Sequence, residues 1–190
     1  MKKLILINGD LETGKSHFAI IVRDRFNLPL FTKDEYKEEF ANHYEYDTCE
    51  KNHKLSVMAL DEVVNRFKEI APTGKDLILE ANFHENYLKI LSDLADTYGY
   101  SILNINLVGD PDILFKRYMN RIVNENRHPV HTVNKLDEIE KFRKYTLDRR
   151  NEKMYGKVLE IDANNFSYQS DEKILKQIKD FLDEWKAKTI

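Results

Sequence analysis

A glycine-rich stretch near the start of the chain has the residue types and the spacing that bind a nucleotide phosphate. Residues 9–16 read Gly-Asp-Leu-Glu-Thr-Gly-Lys-Ser and match the pattern G-x-x-x-x-G-K-[ST] in full. Glycines at these positions let backbone N–H groups turn toward phosphate oxygens, because a Cβ would obstruct the approach. Lys15 is expected to contact the β- and γ-phosphates, and the Ser16 hydroxyl to hold Mg²⁺. The predicted nucleotide site includes Gly9, Asp10, Leu11, Glu12, Thr13, Gly14, Lys15, Ser16 and His17.

Two carboxylates stand at the ends of apolar runs, where ligands bind in open α/β sheets. Asp34 follows the run 28–32, and Glu80 lies near the end of the run 76–81, two residues before Asn82. Phosphoryl transfer requires a carboxylate that orients the attacking hydroxyl and accepts its proton. We therefore predict that Asp34 is the catalytic base. Asp is also well suited to cap the helix that follows, and this alternative stays open.

A basic segment follows the fourth apolar run and is predicted to form a lid over residues 115–135. Arg117 and Arg121 are four residues apart, so both can project from one helix face toward the nucleotide. Arg121 and Arg127 suit the charge that develops on a transferred phosphoryl group, although a solvated helix face is the alternative for the helical arginines. His128 and His131 are interpreted as hydrogen-bonding lid residues, since no cluster of Cys or carboxylates accompanies them to bind zinc.

The elements that must position these residues alternate between strand and helix. Helical patterns separate five short apolar runs, at residues 3–8, 28–32, 76–81, 101–108 and 157–161. This alternation predicts an α/β three-layer sandwich with a five-stranded parallel sheet. Together with the loop pattern of residues 9–16, it indicates the P-loop nucleoside triphosphate hydrolase and nucleotide kinase type. The run 28–32 is the weakest and is expected near an edge. The predicted helices are residues 17–26, 34–46, 54–70, 84–98, 111–124, 135–150 and 171–186. Asp110, followed by Pro111, is expected to cap the fifth of them, and Ser170 the last.

The bulk properties favour one domain over residues 1–190 that is cytoplasmic. The net charge of −3 gives no overall field that would attract nucleic acid or a membrane surface. The apolar run after the first lysines is too short for a signal peptide, and no run approaches the ~20 apolar residues of a membrane helix. Cys49 is the one cysteine, so neither an intrachain disulfide nor a cysteine metal site is expected.

The residues around Asp34 resemble a known group of kinases. Phe31-Thr32-Lys33-Asp34 ends the second run with a basic residue followed by Asp. This ending resembles the AAA-type P-loop kinases that include 5′-hydroxyl polynucleotide kinases, chloramphenicol phosphotransferases and zeta toxins. The resemblance implies that Asp34 engages the acceptor hydroxyl and that Glu80 and Asn82 are further site residues. It also places Lys37 where polynucleotide kinases often carry Arg, and residues 127–131, Arg-His-Pro-Val-His, are similar to a stretch found in many of the group's members.

One other nucleotide-binding class has a partial match. Residues 134–137, Asn-Lys-Leu-Asp, spell the guanine-reading pattern N-K-x-D of GTPases. The stretch does not directly follow an apolar strand, and no D-x-x-G follows the third run. We therefore interpret Asn134 or Asp137 as a helix cap.

The acceptor is expected to be a small molecule with a hydroxyl group. Residues 34–72 are predicted to form a helical insert on the acceptor side, and its aromatic side chains either stack on the acceptor or pack the insert. No basic and aromatic stripe is long enough to follow a polynucleotide. The leading hypothesis is an Mg·ATP-dependent small-molecule kinase that uses Lys15, Asp34, Arg121 and Arg127. The alternatives are a toxin-like or 5′-hydroxyl polynucleotide kinase, and a nucleotide-binding module without turnover.

Overall fold

A five-stranded, wholly parallel sheet lies at the centre of the computed structural model, which describes residues 2–124, 127–133 and 136–184. The spatial order of the strands is β2-β3-β1-β4-β5, so β1 is central and β2 lies at an edge. The predicted parallel sheet and the edge position of its second strand are confirmed. The strands are β1 (Lys2–Gly9), β2 (Leu30–Thr32), β3 (Leu77–Glu80), β4 (Tyr100–Val108) and β5 (Lys157–Asp162).

Helices cover both faces of the sheet, because successive residues of each strand point to opposite sides. In the described residues they are α1 (Lys15–Phe26), α2 (Lys33–Ala41), α3 (Cys49–Ile70), α4 (Glu85–Tyr98), α5 (Pro111–Asn124), α6 (Ile139–Arg150) and α7 (Glu172–Asp183). On one face, Leu4 and Leu6 pack with side chains of α3 and α4, including Phe67. On the other, Ile5 and Ile7 pack with side chains of α1 and α7. The predicted three-layer α/β arrangement is therefore confirmed.

Several helix boundaries differ from the prediction because of local capping. The α3 helix begins at Cys49 rather than residue 54, since the Thr48 hydroxyl accepts a hydrogen bond from the Lys51 N–H. The α2 helix ends at Ala41, five residues before its predicted end. The predicted cap of α5 by Asp110 is confirmed, because its carboxylate accepts from the N–H groups of Asp112 and Ile113.

The last two helices also begin at residues other than those predicted. Helix α6 begins at Ile139 with Glu138, not Asp137, at the cap position, and the other predicted cap, Asn134, and the start at residue 135 lie outside the described residues. Asp171, not the predicted Ser170, caps α7 by accepting from the Lys173 N–H, because the Ser170 hydroxyl donates to the Ser167 carbonyl oxygen instead. Residue 186, where this helix was predicted to end, also lies outside the described residues. No helix in the described ranges combines the length and apolar character that a membrane crossing requires.

The end of β1 makes an unusually close approach to β4. Gly9 has a φ of +132°, and a Cβ added there would lie 2.1 Å from the Leu107 carbonyl oxygen. The Asp10 N–H then donates to the same carbonyl oxygen at 2.9 Å. The chain can leave the sheet at this point because residue 9 has no side chain.

We expect Gly9→Ala to destabilise the fold much more than Gly99→Ala. Gly99 also has a positive φ, of +72°, but a Cβ there would meet nothing within 4 Å. Gly99→Ala should therefore cost only the ~1–2 kcal/mol of a left-handed conformation. Gly9→Ala adds a clash with backbone and should exceed that cost by at least ~2 kcal/mol. Urea unfolding followed by circular dichroism measures both, and equal losses would contradict the close approach of β1 and β4.

Candidate active site

The glycine-rich loop between β1 and α1 has the backbone shape of an anion-binding corner. Gly14 has a φ of +84° and is the N-cap of α1, with no side chain capping the first turn. The first N–H groups of α1 therefore have no partner within the helix. Two hydrogen bonds to carbonyl oxygens of the loop stabilise its shape. The Thr13 hydroxyl donates to Asp10 O at 2.9 Å, and the Tyr168 hydroxyl donates to Thr13 O at 2.5 Å.

Lys15 lies across this loop and is buried. Its ammonium donates to the Asp10 carbonyl oxygen at 2.5 Å. Burial lowers the pKa of Lys15, and the nearby carboxylates of Glu80 and Glu12 partly oppose this effect. A phosphate beside Lys15 would favour the charged ammonium in the same way.

The two acidic residues of the loop are both paired, so neither leaves a free negative charge at the phosphate position. The Asp10 carboxylate is 4% exposed and accepts from Arg150 at 2.5 Å and from the Gly109 N–H at 3.1 Å. Glu12 has a φ of +60°, and its carboxylate forms an ion pair with Arg121 at 3.2 Å. Sequence reasoning did not identify Arg150, which neutralises the acid closest to the sheet.

Ser16 and Glu80 face each other across the cleft. The Ser16 hydroxyl donates to the Glu80 carboxylate at 3.3 Å. Burial raises the pKa of Glu80 to about 7, even though Lys15 favours its ionised form. A hydroxyl and a carboxylate oxygen side by side fit the oxygen ligands that Mg²⁺ prefers. Within the described part of the chain, no three His, Cys, Asp or Glu side chains form a metal-binding group.

Asp34 stands at the carboxyl end of β2, in the first turn of α2. The N-cap of α2 is Thr32, whose hydroxyl accepts from the Glu35 N–H, so the alternative that Asp34 caps this helix is wrong. The Asp34 carboxylate is 40% exposed and pairs with Arg127 at 3.2 Å and with Lys33 at 3.8 Å.

The pKa of the Asp34 carboxyl is lower than that of an ordinary aspartate. Burial alone would raise the pKa of this carboxyl, but the positive charges of Lys33, His131 and Arg127 outweigh it and lower the pKa. Asp34 and Glu80 thus line one cleft with their pKa values displaced in opposite directions.

Arg117 and Arg121 both reach from α5 to the glycine-rich loop. Arg117 donates to the Ala163 and Asn164 carbonyl oxygens at 2.8 Å and 2.6 Å, and its guanidinium lies 4.2 Å from the centre of the Phe166 ring. It therefore holds the segment after β5 beside the loop. Arg121 is engaged with Glu12, so the solvated-face alternative fits neither arginine.

Lys37 lies behind the cleft rather than in its lining. Its buried ammonium donates to the Asn52 side chain at 2.6 Å, and Asn52 donates to the Val130 carbonyl oxygen at 2.5 Å. Burial lowers the pKa of Lys37 to about 8. His131 is bonded to Glu38 at 2.8 Å, so two contacts hold the 3₁₀ turn Pro129–His131 on α2 and α3.

The cleft that these residues surround has a volume of about 1180 Å³. Most predicted site residues line it, but Gly9, Asp10, Thr13 and Lys37 do not, and neither do the aromatic residues Tyr36, Phe40, Tyr44 and Tyr46. The packing alternative for these aromatics is supported by the edge contact of Phe40 with Tyr44 and by the position of Tyr36 against the core.

Sequence reasoning missed several lining residues that come from distant elements. They are His53 and Ser56 of α3, His84 and Tyr87 at the start of α4, Tyr145 and Arg149 of α6, and Phe166. One weak signal was present for α6, because neither Arg149 nor Arg150 has an acidic residue one turn earlier in the helix. Such an arginine needs a partner from elsewhere in the fold or from a ligand.

Comparison with solved structures identifies the fold. The chain is similar to a candidate kinase from Chloroflexus aurantiacus, with a TM-score of 0.81 and 22% identity over 94% of this chain and 97% of that one. It is also similar to a sugar kinase from Janibacter (TM-score 0.63, 14% identity, 94% and 95% of the two chains) and to shikimate kinase from Bacteroides thetaiotaomicron (0.57, 17%, 96% and 99%). No protein-family model and no curated relative matches the sequence. The fold is that of P-loop kinases, as the resemblance in the sequence predicted.

Glu80 should make the ligand-free protein less stable as the pH rises. Its pKa is about 7 in the folded chain and 4.5 ordinarily, so between these values the unfolded chain releases a proton that the folded chain keeps. The free energy of unfolding therefore falls over this interval and levels off above it. Glu80→Gln removes the contribution, and the loss of stability between ~pH 5 and ~pH 8 should shrink by on the order of 3 kcal/mol.

Urea unfolding of both proteins in buffer with EDTA measures this difference. Glu69→Gln is the matched control, because Glu69 is 61% exposed on α3 and should leave the pH dependence unchanged. A Glu80→Gln protein that loses as much stability as the unsubstituted protein over this interval would show that Glu80 titrates normally.

Proposed function

We propose that the protein is an Mg·ATP-dependent phosphotransferase that moves the γ-phosphate to a hydroxyl group of a small molecule. The observation that carries the proposal is the position of an ionised carboxylate, Asp34, in the same cleft as Lys15 and Ser16 of the glycine-rich loop. A nucleotide-binding loop alone is compatible with many activities. A carboxylate placed beside it supports transfer to an acceptor.

The residues of the loop side would bind the nucleotide. The loop N–H groups and Lys15 suit the β- and γ-phosphates. The Phe166 ring is 49% exposed and backed by Arg117, so it offers a flat apolar surface for the base. The Ser16 hydroxyl, with Glu80 behind it, would hold Mg²⁺, which supplies positive charge to the phosphate oxygens when bound.

In the proposed reaction, the oxygen of the acceptor hydroxyl attacks the γ-phosphorus as the bond to the β–γ bridging oxygen breaks. Asp34 accepts the hydroxyl proton, and ADP leaves with the electron pair of the broken bond. The lowered pKa of Asp34 keeps it ionised near neutral pH, which is the form that accepts a proton. The products are ADP and the phosphorylated acceptor.

Arg121 and Arg127 would act on the phosphates after exchanging partners. In the structure each forms an ion pair with an acid of the cleft, Glu12 and Asp34 respectively. A bound triphosphate carries more negative charge than either carboxylate and would attract both guanidinium groups. We infer that residues 115–135 form the lid of a single domain over residues 1–190, with residues 34–72 on the acceptor side.

Asp34→Asn should preserve nucleotide binding and abolish phosphoryl transfer, because the amide cannot accept the proton. We expect an unchanged Kd for a nonhydrolysable Mg·ATP analogue by calorimetry, and a loss of turnover of ~10²–10⁴-fold. Turnover is measured as ADP release with acceptors that raise the melting temperature in a screen of sugars, hydroxy acids, nucleosides and aminoglycoside or phenicol antibiotics.

Glu35→Gln is the matched control, since Glu35 is the neighbouring acid and does not line the cleft. Lys15→Met should instead lose nucleotide affinity. Retained transfer by Asp34→Asn would reject the base assignment, and an unsubstituted protein that binds no nucleotide would reject the proposed function. Binding without transfer to any acceptor would favour a nucleotide-binding module, and phosphorylation of 5′-hydroxyl ends would favour a polynucleotide kinase.

A further inference from the structure

The charges that line the cleft are unequal. Among the described lining residues, six are Lys or Arg (Lys15, Lys33, Arg117, Arg121, Arg127 and Arg149), and three are acidic (Glu12, Asp34 and Glu80). The cleft therefore offers more positive charge than its own carboxylates neutralise.

Most of these cations have an assigned partner or lie on the nucleotide side. Lys33 and Arg127 pair with Asp34, and Arg121 pairs with Glu12. Lys15 belongs to the glycine-rich loop, and Arg117 holds the segment after β5. Their charges are accounted for by the loop, the lid and the proposed base.

Arg149, like Arg117, has neutral hydrogen-bond partners, but its partners lie away from the loop and from the segment after β5. It donates to the Phe83 carbonyl oxygen at 2.6 Å, to the Asn82 carbonyl oxygen at 3.5 Å and to the Tyr145 hydroxyl at 3.3 Å. Across the part of the chain that the structure describes, no carboxylate lies within ion-pairing distance of it. A partly buried guanidinium without a counter-charge is costly unless a ligand supplies one.

The position of Arg149 is on the acceptor side of the cleft. The backbone it contacts, at Asn82 and Phe83, follows β3 and leads into His84 and Tyr87, which also line the cleft. Arg149 is also near the reacting end, because it lines the same cleft as Lys15 and Asp34. A guanidinium has five N–H donors, so the one short bond to Phe83 orients Arg149 and leaves donors for a ligand.

We propose that the acceptor carries an anionic group, a carboxylate or a phosphate, in addition to its hydroxyl, and that Arg149 binds this group. The planar fork of the guanidinium matches the paired oxygens of either group. This inference rests on the proposed function and narrows its substrate class from any small hydroxyl compound to an anionic one. The other possible source of an anion near Lys15 is the γ-phosphate of the nucleotide, and the experiment separates the two.

The experiment compares charged and neutral members of matched pairs. Glycerate and glycerol, glucuronate and glucose, and glucose 6-phosphate and glucose are titrated calorimetrically into the protein saturated with a nonhydrolysable Mg·ATP analogue. We expect at least one charged member to bind at least tenfold more tightly than its neutral partner. Arg149→Gln should abolish that preference, and Arg149→Lys, which keeps the charge but not the fork, should retain part of it.

Lys144→Gln is the matched control, because it removes one positive charge from α6 at an exposed residue paired with Asp148. It should leave the preference unchanged, and melting temperatures verify that every variant is folded. Inorganic phosphate is the minimal probe if no member of the pairs binds. In the nucleotide-saturated protein, phosphate should shift the side-chain NMR signal of Arg149, assigned through Arg149→Gln.

Four results would overturn the proposal. The first is tighter binding of the neutral members, and the second is an undiminished preference in Arg149→Gln. The third is a phosphate titration that leaves the Arg149 signal unmoved. The fourth is that Arg149→Gln weakens the binding of the ATP analogue but not of ADP, while the preference for charged members persists. The last result would assign Arg149 to the γ-phosphate. Failure of the proposed function is distinguishable, since it appears as no binding of the ATP analogue to the unsubstituted protein.

Discussion

The close approach of Gly9 to the backbone of Leu107 is the constraint on which the rest of the site depends. It brings the end of the central strand against β4, and this contact fixes where the glycine-rich loop leaves the sheet. The next residue, Asp10, reinforces this position through its N–H bond to Leu107 and its ion pair with Arg150. Arg150 adjoins Arg149 in α6, so the helix that anchors the loop also supplies a cation to the cleft.

The two main carboxylates of the cleft, Glu80 and Asp34, have different environments and therefore different pKa values. Glu80 is buried at the end of β3 and retains its proton to a higher pH, whereas Asp34 stands among cations and ionises easily. When the pKa values of two carboxyl groups in one site are shifted in opposite directions, one group typically accepts a proton and the other has a different role. Here it agrees with Asp34 as the proposed base and with Glu80 beside the Ser16 hydroxyl.

Contacts with α2 and α3 support the segment that carries Arg127. Lys37, Asn52 and the Val130 carbonyl oxygen form a buried chain of hydrogen bonds from α2 through α3 to the 3₁₀ turn. Burying the Lys37 ammonium costs free energy, and the same burial lowers its pKa. These hydrogen bonds therefore form in spite of an unfavourable desolvation of Lys37. Their effect is to hold Arg127 within reach of Asp34, which couples α2 and α3 to the residues that are proposed to close over the phosphates.

The sequence by itself determined the features whose signals are local. The loop pattern of residues 9–16 is contiguous, and the apolar runs that became strands need only burial on both faces to be recognised. The capping of α5 by Asp110 could be predicted for the same reason, whereas Thr48 showed that a cap can extend a helix before its apolar pattern begins. Tertiary structure alone decided the ion pairs between residues that are far apart in the sequence. Arg150 meets Asp10 from 140 positions away and Arg121 meets Glu12 from 109 positions away. Burial of Lys37 and the neutral surroundings of Arg149 arise in the same way, because ion pairing and desolvation depend on which distant elements the fold brings together, and no local pattern encodes those distances.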